Sequence, residues 1–354
     1  MLNLFAIALL ALSLWNIRIF TGREVWNSDY LSPKNAQAVK GLLAMVVLLH
    51  HLAQSTTRCG EGNFLFHLFA HAGLLPVAVF FFYSGYGLQK RYMQDESYRH
   101  HYLQKRIPTL LFPYLIATAL YWLLYTILGD PYSWREVLRG FYNGHPIVKY
   151  SWYVLAVLAF YFVFYLLMVV CKKHYIAMVL GAGAFCLLWR GLCRYAEIGA
   201  YWYSYIHILV LGMLWAVGEK RILEGIEGHH CLWIALASLG FLAAAAISHF
   251  GRYSFNELVV VLFVVLFVLV LTKVKISNGI LRFLGRISYE IYLFQGLFIV
   301  GLRNGAVYIE NGFLFCLLAL TGTLVVACLA HLCFRWVLAR YSQRLNGHSR
   351  MPVG

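Results

Sequence analysis

Long apolar runs, broken by short basic segments, cover almost the whole chain. Windows of about 20 apolar residues, the length needed to cross a ~30 Å hydrocarbon core, fall near 2–20, 38–54, 64–88, 107–128, 151–171, 175–190, 198–217, 231–249, 256–272, 286–303 and 313–335. The pattern predicts an all-α fold: a polytopic membrane helical bundle of about 11 transmembrane helices. The windows at 175–190 and 256–272 are the shortest and weakest. The first window has neither a basic n-region nor a small-residue cleavage site, so it reads as a retained helix, not a signal peptide. The chain then divides into an additional N-terminal transmembrane helix over 1–30, a membrane domain over 31–340 and a short basic tail over 341–354, with no long polar linker between them.

Composition agrees with that reading. Of 354 residues, 62% are hydrophobic and only 12% charged, about half the charged fraction of a soluble domain. With the N-terminus placed outside, 21 of the 29 lysines and arginines fall in inner segments. That excess puts the C-terminus in the cytoplasm. Topology and anionic lipid then account for the net charge of +15, and no nucleic-acid partner is needed. Six of the eight cysteines lie in or beside spans, where they pack as small apolar residues. Cys59 and Cys193 fall in outward loops, and spacing leaves a bridge between them open.

Several polar side chains interrupt the apolar pattern. Lys40 begins the second span and His51 lies eleven residues on, ~16 Å along the helix axis and near mid-depth of the bilayer. An ionisable group there marks a functional site unless it bonds a neighbouring helix as structural glue. His50 is turned ~100° from His51, so only one of the two can face a given crevice. His67 and His71 share a helix face, but catalytic zinc needs three protein ligands and no third accompanies them; no metal is expected. Ser84 is followed by Gly85 within a helical run, without a strand–turn–helix nucleophile elbow. Lys90, Arg91, Lys105 and Arg106 lie in the inner segment 89–106, either as ordinary positive-inside charge or as a seat for a phosphorylated ligand. Tyr150, Trp152 and Tyr153 close an aromatic outward segment that begins at Pro131; such residues form an interfacial belt or stack on sugar rings. Glu290 and Gln295 lie in the tenth span, with Arg286 one turn before Glu290 as its expected ion-pair partner. His207 reads as a buried titratable residue in mid-span.

Together these segments resemble the integral-membrane acyltransferase 3 family, the bacterial O-acyltransferases of surface glycans, from about Lys40 to Arg335. The family pattern of a basic residue, ten residues and a histidine is similar to Lys40 through His51. Its Phe-Phe…Ser-Gly-aromatic motif resembles Phe81-Phe82-Tyr83-Ser84-Gly85-Tyr86. The basic start of the next helix resembles Arg106-Ile107-Pro108 through Pro113-Tyr114, and Trp152-Tyr153 resembles a Trp-aromatic pair. Leu284-Gly285-Arg286-Ile287-Ser288-Tyr289 with Ile291-Tyr292-Leu293 resembles the late Gly-x-Ile-Ser-Tyr…Tyr-Leu motif. The chain departs from the family at Gln295, where histidine is frequent, and in having no Arg-x-x-Arg on the inner side.

The resemblance implies transfer of acetyl from cytoplasmic acetyl-CoA to a hydroxyl of an envelope or exported glycan. Acetyl-CoA is then the donor substrate and no cofactor is held permanently. His51 would serve as general base or acyl acceptor, and Lys40 would steady the donor or the oxyanion. Lys90, Arg91, Lys105, Arg106 and Ser84 would bind donor, and Tyr150, Trp152 and Tyr153 acceptor. His50, Gln295, Glu290 and His207 are secondary candidates. Membrane lipid, acyl-CoA, the glycan and a separate extracytoplasmic transferase are the implied partners. Two other classes stay open: a proton-coupled flippase of a lipid-linked glycan, although no matching pair of broken helices appears, and a catalytically silent membrane module.

Overall fold

The computed structural model describes residues 1–22, 25–61, 64–250, 256–304 and 307–348. Arg23, Arg252 and Arg350, counted above in the charge distribution, lie outside the described residues, as does the end of the basic tail. In chain order the helices are α1 Asn3–Leu14, α2 Pro33–Arg58, α3 Phe64–Ala72, α4 Leu74–Gln94, α5 Tyr102–Ile127, α6 Trp134–Tyr142 and α7 Trp152–Cys171. They continue as α8 Tyr175–Tyr195, α9 Ile208–Ile226, α10 His230–Phe250, α11 Asn256–Lys273, α12 Gly279–Arg286, α13 Ser288–Gly301 and α14 Gly312–His348. Strands β1 (Ile17–Ile19) and β2 (Val274–Ile276) pair antiparallel, with Arg18 opposite Lys275. Strands β3 (Arg303–Asn304) and β4 (Val307–Tyr308) form a second short pair.

Among the described residues, eight helical segments are long and apolar enough to cross a membrane, and α12 with α13 forms a ninth, broken candidate. The windows at 175–190 and 256–272 fall on two of the eight, α8 and α11. Three other windows differ from expectation. The apolar run 2–20 yields a helix of only 12 residues, ~18 Å long. Asn16, at φ 63°, breaks it, and the β-branched Ile17 and Ile19 pair with β2 instead. The run 198–217 is turn and 3₁₀ backbone until Ile208. The last helix outruns its window by more than a dozen residues.

The chain forms two compact units, Met1–Ser97 with Leu166–Ser288 and Tyr98–Tyr165 with Tyr289–Gly354. In the first, α2 starts at Pro33 behind Ser32, whose hydroxyl accepts from the Asn35 amide. Glycines set its close approaches. A Cβ on Gly41 would fall on the Leu281 carbonyl of α12, and one on Gly285 would fall on the Gln37 carbonyl of α2. A Cβ on Gly85 would strike Leu209 O of α9, and one on Gly212 would strike Phe82 O of α4. Helices packed this closely gain dispersion contact that no larger residue would permit. In the second unit, Tyr114, Tyr121, Tyr125, Val148, Leu293 and Phe294 form the interior, with Phe334 of α14 packed on it.

Candidate functional site

In the first unit, α2 carries both family-pattern residues, and the structure separates its two adjacent histidines. His50 is buried. Its Nδ1 lies 2.8 Å from the Phe69 carbonyl of α3, and a Cβ on Gly73 would overlap its ring. A carbonyl only accepts, so His50 is held with its proton on Nδ1. His51 is half-buried, its ring 4.8 Å from that of His50 at 60°, and it hydrogen-bonds Gln54. Lys40 places Nζ 5.7 Å from the centre of the Tyr83 ring. The Lys40–His51 helix therefore meets the Phe-Phe…Ser-Gly helix directly. Ser84 donates its hydroxyl to the Phe80 carbonyl at 2.9 Å, one turn back in its own helix.

The basic residues of the segment 89–106 fall into two settings. Lys90 forms an ion pair with Glu219 of α9. That carboxylate also accepts from Tyr86 Oη at 2.9 Å and Tyr30 Oη at 2.8 Å. Trp215 Nε1 in turn donates to Tyr30 Oη at 2.9 Å. Burial above all, with Glu219 adding to it, pushes the Tyr30 phenol far above its ordinary pKa. Arg91 lies 3.5 Å from Asp95 and its side chain is more than half exposed. Two hydrogen bonds from Ser97, ahead of Arg91, hold the Asp95 carboxyl below its usual pKa.

Lys105 and Arg106 belong to the second unit. Lys105 is exposed. Arg106 donates from Nε to Tyr98 Oη at 2.7 Å, with its guanidinium 5.7 Å from the centre of the same ring. Tyr102, fully buried, stands edge-on to Tyr98 with ring centres 5.3 Å apart. No carboxylate pairs with Arg106 among the described residues. Arginine set among phenol hydroxyls in this way keeps donors for a phosphate or carboxylate.

The aromatic candidates Tyr150, Trp152 and Tyr153 also lie in the second unit. Tyr150 sits at φ 66°, a left-handed conformation uncommon for an aromatic residue. Its carbonyl accepts the Tyr292 hydroxyl. Tyr153 packs edge-on to Tyr292 at 5.9 Å and to Trp152 at 6.4 Å. All three candidates are half-buried.

Two expectations are corrected. Glu290 does not take Arg286 as its partner; it bonds His331 Nδ1 of α14 at 2.8 Å, because its side chain is buried inside the second unit. His207 is not in mid-span. It caps α9, near the Arg190–Glu257 ion pair. Gln295 is fully buried and donates to the Tyr292 carbonyl at 3.1 Å. Cys193 is a buried free thiol, which rules out the bridge to Cys59. His67 and His71 stay one turn apart in α3, and among the described residues no three His, Cys, Asp or Glu side chains are grouped to hold a metal ion.

Glu219 and His331, the partners of the candidates Lys90 and Glu290, were not singled out by the sequence pattern. His331 had a signal: a histidine inside the last apolar window, under the rule that raised His51. Glu219 sits in Gly-Glu-Lys-Arg, which reads as the charged end of a span.

The fold and these contacts define a helical, multi-pass membrane protein with buried polar residues on facing helices. An acyltransferase-domain family model matches residues 35–332. The chain thus belongs to the acyltransferase 3 family, and it is a membrane acyltransferase by family. No curated protein and no solved structure matches it.

Proposed function

We propose that the protein is an O-acetyltransferase of the bacterial cytoplasmic membrane. It moves acetyl from cytoplasmic acetyl-CoA to a hydroxyl of an envelope or exported glycan. The observation that carries this reading is the contact of Lys40 with the Tyr83 ring. It brings the basic-x10-His helix against the Phe-Phe…Ser-Gly helix, beside a second histidine already committed to the Phe69 carbonyl.

In this mechanism a ring nitrogen of His51 accepts the acceptor's O–H proton as the oxygen attacks the thioester carbonyl. Lys40, near the start of the span, steadies the anionic end of the donor. The C–S bond then breaks, and the departing CoA thiolate takes the proton from His51. Arg106, Lys105 and Arg91 support recognition of the donor's phosphates; Lys90 contributes through its pairing with Glu219. Ser84 lines the donor helix, and Tyr150, Trp152 and Tyr153 meet the glycan. The N-terminus lies outside and the C-terminus inside, with about 11 spans in all. The membrane domain takes in 31–340, and a separate extracytoplasmic transferase is a partner for acceptors beyond the membrane.

Labelled acetyl-CoA, supplied to the inner face of the reconstituted protein with an envelope glycan fraction, tests the reading. Label on glycan that disappears with His51→Ala supports it; label on neither glycan nor protein overturns it.

A further inference from the structure

The helix α6 lies outside the eight long spans, and its sequence gives it one wide apolar side. At ~100° of turn per residue, Trp134, Val137, Leu138, Phe141 and Tyr142 gather into a single arc. Arg135 and Arg139 follow at the edge of that arc next to Tyr142, and Glu136 falls on the opposite side. Val137 and Phe141 pack on the interior of the second unit. The rest of the arc does not: Trp134 is 65% exposed, Leu138 49% and Tyr142 78%. The bundle therefore covers one edge of the arc and leaves the remainder open.

Three further observations say what meets that remainder. The helix caps itself: Ser133 accepts from the Glu136 amide while the Glu136 carboxylate takes the Ser133 amide and hydroxyl. That commits its one acidic side chain to the helix end, where Arg139 also acts on it, and two arginines against one carboxylate leave the helix net positive. Both arginines stand at the margin of the apolar arc, Arg135 with its guanidinium 5.4 Å from the Trp134 ring centre. The chain arriving at α6 is tied to lipid-facing surface, since Trp122 of α5 donates its indole N–H to the Tyr132 carbonyl. Trp122, Leu123 and Ile127, at the end of that membrane helix, are all at least half exposed.

We propose that α6 is an in-plane membrane anchor. Trp134, Leu138 and Tyr142 enter the boundary between headgroups and acyl chains, and Arg135 and Arg139 bind the phosphates of anionic phospholipid. The pattern is that of an interfacial helix, with a wide apolar arc, arginines along its edge and its own end cap. Continuity with the exposed end of α5 selects the lipid surface over a soluble protein or a glycan as the occupant. The proposal does not depend on the acyl-transfer reading.

The test uses the full chain reconstituted in nanodiscs, with Trp134 emission obtained as the difference between the protein and Trp134→Phe. Lipids brominated near the top of the acyl chain should quench that component, and aqueous iodide should leave it nearly unchanged. The reverse result, quenching by iodide alone, overturns the anchor and turns the face toward water. In discs of mixed phosphatidylcholine and phosphatidylglycerol, Arg135→Gln and Arg139→Gln should each lower the phosphatidylglycerol retained on the purified protein by about fivefold. An unchanged ratio overturns the headgroup role.

Discussion

His50 Nδ1 and the Phe69 carbonyl oxygen stand 2.8 Å apart, joining α2 to α3. Beside that bond, the ring centre of His51 lies 4.8 Å from that of His50. His50→Ala removes a buried ring and orphans a carbonyl, so it should lower stability by about 2–4 kcal/mol. His51→Ala should leave thermal unfolding in detergent nearly unchanged and abolish acetyl transfer. Melting curves and labelled-acetyl assays on the two variants check both halves.

Gly85 and Gly87 are two residues apart in α4 yet face different demands. A Cβ at 85 would strike the Leu209 carbonyl, and one at 87 meets nothing within 4 Å. Gly85→Ala should force α4 off α9 at a cost of about 1–3 kcal/mol. Gly87→Ala should be neutral or stabilising by up to ~1 kcal/mol, from helix propensity alone. Thermal melts of the pair decide it.

Glu219 is held by Lys90, Tyr30 and Tyr86 together. Lys90→Met leaves the carboxylate with two neutral donors and should destabilise the protein. Adding Glu219→Gln, which removes the charge while keeping an acceptor, should recover most of that loss. A double-mutant cycle on thermal stability should give a coupling of about 1–3 kcal/mol.

Glu290 and His331 form the matching pair in the second unit. His331→Ala strands a buried carboxylate and should cost about 3–5 kcal/mol. Glu290→Gln with His331→Ala should cost clearly less. Expression yield and melting temperature of the single and double variants report the difference.

Ser133 holds the Glu136 carboxyl below the usual carboxylate range through hydroxyl and backbone hydrogen bonds. A depressed carboxylate contributes stability above its unfolded pKa and loses it as pH falls through the folded one. The Trp134 emission component should therefore stay constant from neutral pH down to about pH 5 and change below it. Glu136→Gln should flatten that change.

The sequence pattern exposed the membrane class because lipid demands uniformly apolar runs, and α7, α8, α10 and α11 follow their windows closely. It failed where hydropathy and backbone preference conflict. The run 2–20 is apolar enough to span, but Asn16 turns it and Ile17 and Ile19 prefer the strand. The candidate site was legible in part. The family spacing singled out His51 over His50; that His50 bonds the Phe69 carbonyl is a contact no spacing could contain. Glu219 and Tyr30 are 189 residues apart, so no local pattern could have joined them. The two late-motif residues divide similarly. Gly285 reads as a helix-packing glycine only once Gln37 is seen opposite it. Glu290 suggested a partner one turn away and found one on α14, far along the chain.

The chain enters its first compact unit, leaves after Ser97, returns at Leu166 and leaves again after Ser288. During synthesis, then, α2 and α4 emerge long before α12, the helix that Gly41 is shaped to meet. Neither unit can be made as one uninterrupted stretch of polypeptide. Gly41 must wait, already in the bilayer, while most of the chain passes through the ribosome before Gly285 arrives to close on it.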